Sequence, residues 1–265
     1  MKQILLAIGL TIIPSICLAV TPDYAFDGIN FQIGVGGAQT QNTASGTEDT
    51  TLTPHPHING MNSGTNFNGI VSLGYSSSLD RAFEGFFNEE FFKGFNLAAN
   101  VFYIGGNQVA GNANNLTTSR SGSVVETLTG TYKLQNTWGV SLEPGYYFSP
   151  GVLGYFKLAY VGSTLSAGFT CHATDNQCRS PYGQVGNTSS FNRSNNIEGI
   201  GLGVGAKFAI TEHIYGGIDF LHVNYGSPFT KSMQDIQWAT TVGRVASAHF
   251  QQAQTMGFAS VGYRF

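Results

Sequence analysis

The residues of this chain that could take part in chemistry are a few charged side chains inside otherwise apolar, alternating segments. They are Glu143, Lys157, Lys207, Asp219 and Arg264. A carboxylate beside a lysine can act as a general acid or base. However, the sequence places no nucleophile next to them, and ion-pair networks commonly perturb such groups without catalysis. We therefore predict that these five residues form salt bridges inside the fold, and we predict no catalytic residues.

Two of these charges lie equally far from a predicted tight turn at Pro150. Glu143 precedes that residue by the same distance at which Lys157 follows it. Residues related in this way face each other across an antiparallel hairpin, where opposite charges attract. Lys207 and Asp219 are nearly opposed across the next hairpin. We expect a ladder of salt bridges, because an unpaired buried charge is costly.

Cysteine and histidine residues offer two further candidate sites. Cys171 and Cys178 lie close together in a segment rich in Gly, Asn, Ser and Asp. In an oxidising compartment this spacing favours a local disulfide. His172 is adjacent, but a zinc site needs more ligands than this segment offers, and the pair His55 and His57 is equally incomplete. We predict no metal site and no cofactor.

Residues 1–19 have the pattern of a cleaved secretory signal peptide. A positive start, Met1-Lys2-Gln3, precedes an apolar run, and small residues near Ala19 suit cleavage after that position. The run is too short to span a membrane comfortably. We expect export, with residues 20–265 forming a single domain.

The composition favours strands with one apolar and one polar face. Only 10% of the residues are charged, against roughly 25% in an average soluble domain, yet 42% are hydrophobic, with 35 Gly and 20 Phe. The mean hydropathy of −0.02 is too low for a bundle of membrane helices. The net charge of −3 gives no electrostatic surface for nucleic acid.

Apolar residues alternate with polar or small residues in eight segments, which predicts eight strands. They cover residues 29–36, 66–75, 95–103, 134–148, 155–160, 199–208, 215–225 and 254–265. In 134–148 the apolar residues are even-numbered, which predicts a single face. Long polar segments, 40–65, 105–123, 163–196 and 226–251, follow alternate strands and are predicted to be loops. Two alternatives stay open: residues 76–94 form a short amphipathic helix or extensions of the strands, and 124–132 adds strands to make ten.

These features resemble the small bacterial outer-membrane barrels of the OmpA/OmpX and opacity-protein type. The resemblance rests on the signal peptide, the eight alternating segments, the four long loops and the final V-G-Y-R-F. The hairpin sequence E-P-G-Y-Y-F-S-P-G-V-L-G-Y-F-K-L also looks like the family's periplasmic hairpins. The implied fold is all-β: a transmembrane, antiparallel, up-and-down β-barrel with long extracellular loops and short periplasmic turns.

The resemblance also implies a location and partners. The protein would lie in the outer membrane, in contact with its lipid and lipopolysaccharide. Val261, Tyr263 and Phe265 would form the C-terminal signal read by the barrel-assembly machinery. An eight-stranded barrel is just wide enough to be filled by side chains. The implied function is therefore that of a surface protein whose loops mediate adhesion, host contact or shielding, or support the membrane.

Two other functions remain as alternatives. Inward glycines at 199, 201, 203 and 205 leave a narrow channel for small solutes, or make room for Tyr155, Tyr215 or Phe258. An outer-membrane lipid A-modifying enzyme or a protease is the other alternative. A deacylase would carry a His-x-Ser pair, which the late strands lack. A protease would present an Asp-His pair, but Asp219 and His222 fall on opposite faces of one strand.

Overall fold

The computed structural model describes residues 25–48, 64–82, 92–106, 108–120, 123–173, 178–179, 185–186, 188–226, 238–239 and 245–265. These residues form strands almost throughout. The strands are β1 (Gly28–Glu48), β2 (Gly64–Ser78), β3 (Phe95–Gly105), β4 (Gln108–Arg120), β5 (Ser123–Ser149), β6 (Val152–Ala173), β7 (Cys178–Arg179), β8 (Val185–Gly186), β9 (Thr188–Ala209), β10 (Ile214–Tyr225), β11 (Trp238–Ala239) and β12 (Val245–Arg264). One short helix, α1 (Leu79–Ala82), follows β2. No helix in the described ranges has the length and apolar character needed to cross a membrane.

Eight long strands form one closed antiparallel barrel. Their order around the barrel is β1, β2, β3, β5, β6, β9, β10 and β12. β12 then pairs with β1, with Tyr263 opposite Phe31, so that the sheet has no free edge at this level. β4 continues the course of β3 and pairs with the first half of β5. The prediction of an eight-stranded antiparallel barrel is thus confirmed.

The strands are staggered as they go round the barrel. A row of opposed residues runs from Asn30 through Gly74, Asn100, Ser141, Ala159, Gly201, Val223 and Gln254, and returns to β1 at Thr40. The row comes back ten residues further along the same strand. Such a stagger tilts the strands against the barrel axis, and eight strands then enclose a lumen that side chains can fill.

The two faces of the wall differ in polarity. Large apolar side chains point outward on all eight strands; examples are Ile33, Leu73, Val101, Leu142, Leu158, Leu202, Phe220 and Val261. Leu202 is 65% exposed, whereas the inward-facing Glu143, Lys207 and Asp219 are at most 3% exposed. In a soluble protein the charged side chains face outward and the large apolar side chains face inward, which is the opposite arrangement. We call the outward apolar band the belt, since it has the character of a surface that faces lipid.

We call the two ends of the barrel the short-turn end and the long-loop end. At the short-turn end, residues 150–151 join β5 to β6, and residues 210–213 join β9 to β10. Here the belt carries many aromatic side chains, with Tyr146 packed between Phe95 and Phe148. At the other end, Trp138 and Tyr160 lie side by side on the outside, with ring centroids 6.1 Å apart.

Two of the predicted loops are largely strand. Residues 108–120 and 123–132 pair with each other as β4 and the start of β5, and β6 and β9 pair through most of 163–196. Residues 124–132 are therefore the beginning of a strand already counted, and the barrel does not gain a ninth or tenth strand. These segments were predicted as loops because they are rich in Gly, Asn and Ser.

A bulge in β5 also corrects the predicted facing of its apolar residues. Asn136 has a positive φ of 51°, and the pairing of β5 with β6 shifts register between Gln135 and Trp138. A bulge adds one residue to a strand and exchanges its two faces. Leu134 is consequently buried inside the barrel, while Trp138 points outward, although both are even-numbered.

Several predicted features lie outside the described residues. They are the signal peptide at residues 1–19, the pair His55 and His57, and residues 83–91, which make up about half of the segment 76–94. In the flanking part of 76–94, β2 runs to Ser78 and is followed by the four-residue helix α1. The choice between a longer amphipathic helix and strand extensions therefore stays open.

Candidate functional site

Four of the predicted charged residues meet in the lumen, in what we call the charge layer. Lys157 Nζ lies 3.0 Å from Glu143 Oε1 and 2.7 Å from Asp219 Oδ1. Lys207 Nζ lies 3.4 Å from Glu143 Oε2. The group holds two cations and two anions, so its formal charge is balanced. It joins β5, β6, β9 and β10 across the inside of the barrel.

The pairing differs in one respect from the predicted ladder. Glu143 and Lys157 face each other, because Leu142 pairs with Leu158 on the same hairpin. Lys207, however, reaches Glu143 on β5, and its backbone lies opposite Gly217, two residues from Asp219. The prediction that Lys207 pairs with Asp219 considered only contacts between adjacent strands. Lys207 on β9 instead pairs with Glu143 on β5, which is not adjacent to β9.

Arg264 lies apart from the charge layer. Its Nη2 donates to the backbone oxygen of Glu212, 2.9 Å away, at the short-turn end. His213 in the same turn stacks on Tyr263, and its Nδ1 lies 3.1 Å from the backbone oxygen of Arg264. Arg264 thus links β12 to the turn between β9 and β10 and forms no ion pair with the four charged residues.

Polar residues that the sequence analysis did not single out complete the site. Tyr155 donates its hydroxyl hydrogen to Asp219 Oδ1 over 2.6 Å. Gln32 Nε2 donates to Asp219 Oδ2 over 3.2 Å and to Ser260 Oγ over 2.6 Å. Ser141 donates to Glu143 Oε1 over 3.2 Å. All four carboxylate oxygens therefore accept at least one hydrogen bond or contact a lysine ammonium group.

Inward glycines make room for the large side chains of this layer. A Cβ atom at Gly205 would lie 2.3 Å from the ring of Tyr155, and one at Gly262 would lie 2.0 Å from the ring of Tyr215. The structure thus agrees with the interpretation of Gly205 as space for Tyr155. A signal for this packing was present in the sequence, as alternate glycines on one strand opposite aromatic residues on others.

An apolar layer lies on the long-loop side of the charges. On each of three strands the next inward position is apolar: Ala159 after Lys157, Leu221 after Asp219, and Phe258 next to Ser260. Phe102 covers the charges directly, with its ring centroid 5.9 Å from Lys157 Nζ. Ile70, Val161, Val223 and Met256 complete this layer.

Phe102 and Phe258 both pack against glycine backbone. A Cβ atom at Gly139 would lie 2.3 Å from the Phe102 ring, and one at Gly36 would lie 2.7 Å from the Phe258 ring. The absence of side chains at these two positions lets the rings fill the centre of the lumen. Phe102 and Phe258 are therefore both buried, at most 4% exposed, within the apolar layer beside the charges.

A second polar group lies further toward the long-loop end. Gln254 Nε2 contacts Gln108 Oε1 and lies 3.4 Å from Thr40 Oγ1, and Tyr225 donates to Gln254 Oε1 over 3.2 Å. Both Gln108 and Gln254 are fully buried.

The remaining predicted sites are placed as follows. Val261, Tyr263 and Phe265 all point outward, in the belt at the short-turn end. His222 is exposed and its Nδ1 lies 2.9 Å from Thr255 Oγ1, whereas Asp219 is buried, so these two residues do face opposite ways. The side chains of Cys171 and Cys178 lie outside the described set, and their disulfide stays a prediction. In the described ranges, no three metal-ligating side chains come together.

Comparison with known proteins gives similarity to solved structures only. No protein-family profile matches the chain. No curated protein matches it either. Among solved structures, the attachment invasion locus protein Ail of Yersinia pestis, in complex with the heparin analogue sucrose octasulfate, is 13% identical with a TM-score of 0.34; the match covers 90% of this chain and 99% of that one.

Two further structures are similar at the same level. Neisserial surface protein A is 12% identical with a TM-score of 0.36, covering 90% of this chain and 98% of that chain. The outer membrane protease OmpT from Escherichia coli is 12% identical with a TM-score of 0.44, covering 92% and 99%. At these identities and TM-scores the resemblances say nothing about what this chain binds or catalyses.

Proposed function

We propose that this protein is a non-enzymatic surface protein of the bacterial outer membrane. Its closed barrel would support strands and loops that contact partners outside the cell, shield the surface or stabilise the membrane. The observation that carries this proposal is the filled lumen. Where the interior is packed with side chains, the surfaces left for function are the outer wall and the parts beyond the membrane.

The belt supports the membrane location. Its outward side chains are apolar on every strand of the barrel, which would be unfavourable in water over such an area. All charges of the charge layer point inward, away from the lipid, where an Arg or Lys would cost about 2–4 kcal/mol at mid-depth. In this location the belt would contact lipid, and Val261, Tyr263 and Phe265 would be available to the assembly machinery.

The layered interior argues against a channel. An ion that entered from the long-loop end would meet the fully buried amides of Gln108 and Gln254, then the rings of Phe102 and Phe258. Transfer of an unpaired charge into such an apolar layer costs several kcal/mol or more. The charge layer beneath is internally paired and has no unmatched charge to attract an ion.

The state of the carboxylates argues against an enzyme. Glu143 and Asp219 are nearly fully buried, and each of their oxygens already has a partner. A general base needs an open lone pair within hydrogen-bond reach of a substrate. His222 lies on the outer face and cannot approach these carboxylates through the wall.

The long strands provide the surface through which the protein would act. β5, β6 and β9 continue past the belt at the long-loop end and remain paired with each other. Side chains described there carry hydroxyl and amide groups: Ser166 lies 2.7 Å from Ser194 between the hydroxyl oxygens, and Thr164 donates to Asn196 Oδ1 over 3.1 Å. We call this part the projecting sheet. It offers hydroxyl and amide groups to a partner.

Two measurements test the proposal. First, the purified protein in a planar bilayer should give no steady ion conductance, and stable openings would overturn the closed barrel. Second, bacteria that display the wild type should adhere to epithelial monolayers better than bacteria that display a variant in which residues 111–131 are replaced by a short turn. A Glu212→Gln variant, altered at the short-turn end, serves as the control. Equal adhesion of all three would overturn a role for the projecting sheet in adhesion.

A further inference from the structure

The segment just before β1 enters the lumen at the short-turn end. Ala25 and Phe26 are 5% and 3% exposed, although no strand pairs with them. The chain turns into the wall at Gly28, whose positive φ of 113° suits glycine, and a Cβ atom there would lie 3.4 Å from the backbone oxygen of Phe265. We call Ala25, Phe26 and Asp27 the stopper.

Aromatic rings from two strands form a socket for Phe26. Its ring stacks on Tyr147, with centroids 5.9 Å apart, and meets the edge of Tyr215 at 5.7 Å. The Tyr147 hydroxyl also accepts a hydrogen bond from the Phe26 backbone N–H over 3.2 Å. Leu153 and Ala209 close the sides of the socket. Aromatic pairs in these geometries attract each other beyond their area of contact.

Asp27 fixes the stopper to the neighbouring strands. Both of its carboxylate oxygens lie 2.7 Å from Ser78 Oγ, and Asn96 Nδ2 donates to Oδ1 over 3.2 Å. Tyr147 donates to Oδ1 over 3.4 Å, and Arg81 Nη1 lies 3.8 Å from Oδ2. The carboxylate thus ties the segment to the connection between β2 and β3.

The stopper separates the charge layer from the medium at this end. Tyr215, one wall of the socket, lies 5.9 Å from Lys207 Nζ, measured to its ring centroid. The Nδ2 atoms of Asn30 and Asn100 face the same polar region and are buried without a protein acceptor among the described residues. Buried donors of this kind are commonly met by water. The charge layer therefore lies in a polar part of the lumen, which we call the chamber, between the stopper and the apolar layer.

The stopper is held differently from the wall around it. Each wall strand is held by ladders of backbone hydrogen bonds on both sides. Within the described part of the chain, the stopper is held by side-chain contacts and one backbone N–H. Elements with few backbone hydrogen bonds open at lower free energy than the strands they contact. The stopper can thus leave its socket while the barrel stays intact.

We propose that the stopper is a gate that controls access of water and small ions to the charge layer from the short-turn end, with Asp27 as its fastening. When the stopper leaves, the chamber opens on one side only, because Phe102 and Phe258 still close the other. The gate therefore admits solutes to the chamber without making a pore. This inference concerns the short-turn end and does not depend on what the projecting sheet contacts.

The test is the rate at which a buried cysteine reacts with a positively charged methanethiosulfonate reagent. In protein isolated from outer membranes in detergent, with Cys171 and Cys178 replaced by Ser, Ala98→Cys places the thiol beside Glu143 in the chamber. The matched reporter is Ala38→Cys, which belongs to the apolar layer. Both alanines are at most 2% exposed.

Loss of the Phe26 ring contacts should raise the rate at position 98 about tenfold in a Phe26→Ala variant. Asp27→Asn should raise it less, and Glu212→Gln, in the exposed turn between β9 and β10, should leave it unchanged. The rate at position 38 should stay constant in all variants. An unchanged rate at position 98 in Phe26→Ala would overturn the gate. Equal acceleration at positions 98 and 38 would also overturn it, since that pattern indicates general loosening of the barrel.

Discussion

The hydroxyl oxygen of Tyr155 lies 2.6 Å from Asp219 Oδ1, and a glycine at position 205 makes this contact possible. Gly205 pairs with Asp219 across β9 and β10 and with Tyr155 across β6 and β9. The missing side chain leaves the space into which the Tyr155 ring turns. Asp219 Oδ1, which also lies 2.7 Å from Lys157 Nζ, thereby gains a second donor inside the barrel.

Replacement of Gly205 by alanine should therefore destabilise the barrel. The new Cβ atom would lie 2.3 Å from the Tyr155 ring, which must move and lose its bond to Asp219. Overpacking of this kind costs about 1–3 kcal/mol. The control is Gly37→Ala, because a Cβ atom there meets nothing nearer than 3.9 Å. Urea unfolding of both variants in lipid vesicles measures the difference, and equal midpoints would contradict the packing argument.

Removal of the Glu143 carboxylate should be more damaging. In a Glu143→Ala variant, Lys207 loses its ion-pair partner and Lys157 keeps only Asp219. Leaving a buried charge unpaired costs about 3–5 kcal/mol. The loss should appear as a lower free energy of unfolding in urea. A double variant, Glu143→Ala with Lys207→Met, should recover part of it, and a double variant no more stable than the single one would contradict the pairing.

Removal of charge alone should not open a pore. The wild type and a Glu143→Ala, Lys157→Ala variant should both lack steady conductance in a planar bilayer, because Phe102 and Phe258 still fill the lumen. If these two phenylalanines are also replaced by alanine, conductance should appear. Openings in the first double variant would mean that the charge layer, and not the apolar layer, keeps the barrel closed.

An arginine placed in the belt should reveal which wall residues face lipid. Leu202→Arg puts a charge on the outer face, where it should cost about 2–4 kcal/mol in the free energy of folding into vesicles. Asn192→Arg, at an exposed position in the projecting sheet, should cost little. Similar effects of both substitutions on folding would argue against a membrane boundary between these positions.

The predicted disulfide has a direct chemical test. Protein from cells with an oxidising periplasm should resist alkylation at Cys171 and Cys178 until it is reduced, and should then take up two alkyl groups by mass spectrometry. A Cys171→Ser variant should instead show one free thiol without reduction. Two alkyl groups on the unreduced wild type would show that the disulfide does not form.

The amino-acid sequence by itself determined the barrel. A side-chain period of two places lipid-facing and lumen-facing residues on opposite sides of each strand, and eight such segments set the number of strands in the wall. It also determined that Glu143 and Lys157 meet, since a tight turn fixes the register of the hairpin around it. These are local relationships, and alternation or distance from a turn is enough to predict them.

Only the tertiary structure decided which residues meet across the lumen. The period of two shows that Lys207 and Glu143 point inward. Their positions along the barrel axis depend on the stagger of the whole sheet, which cannot be predicted from any one segment. The bulge at Asn136 likewise changed which residues of β5 face the lumen, and the alternation of apolar residues did not predict it. The position of Phe26 also depends on closure of the barrel. Its socket of Tyr147 and Tyr215 exists only once strands distant in sequence have come together.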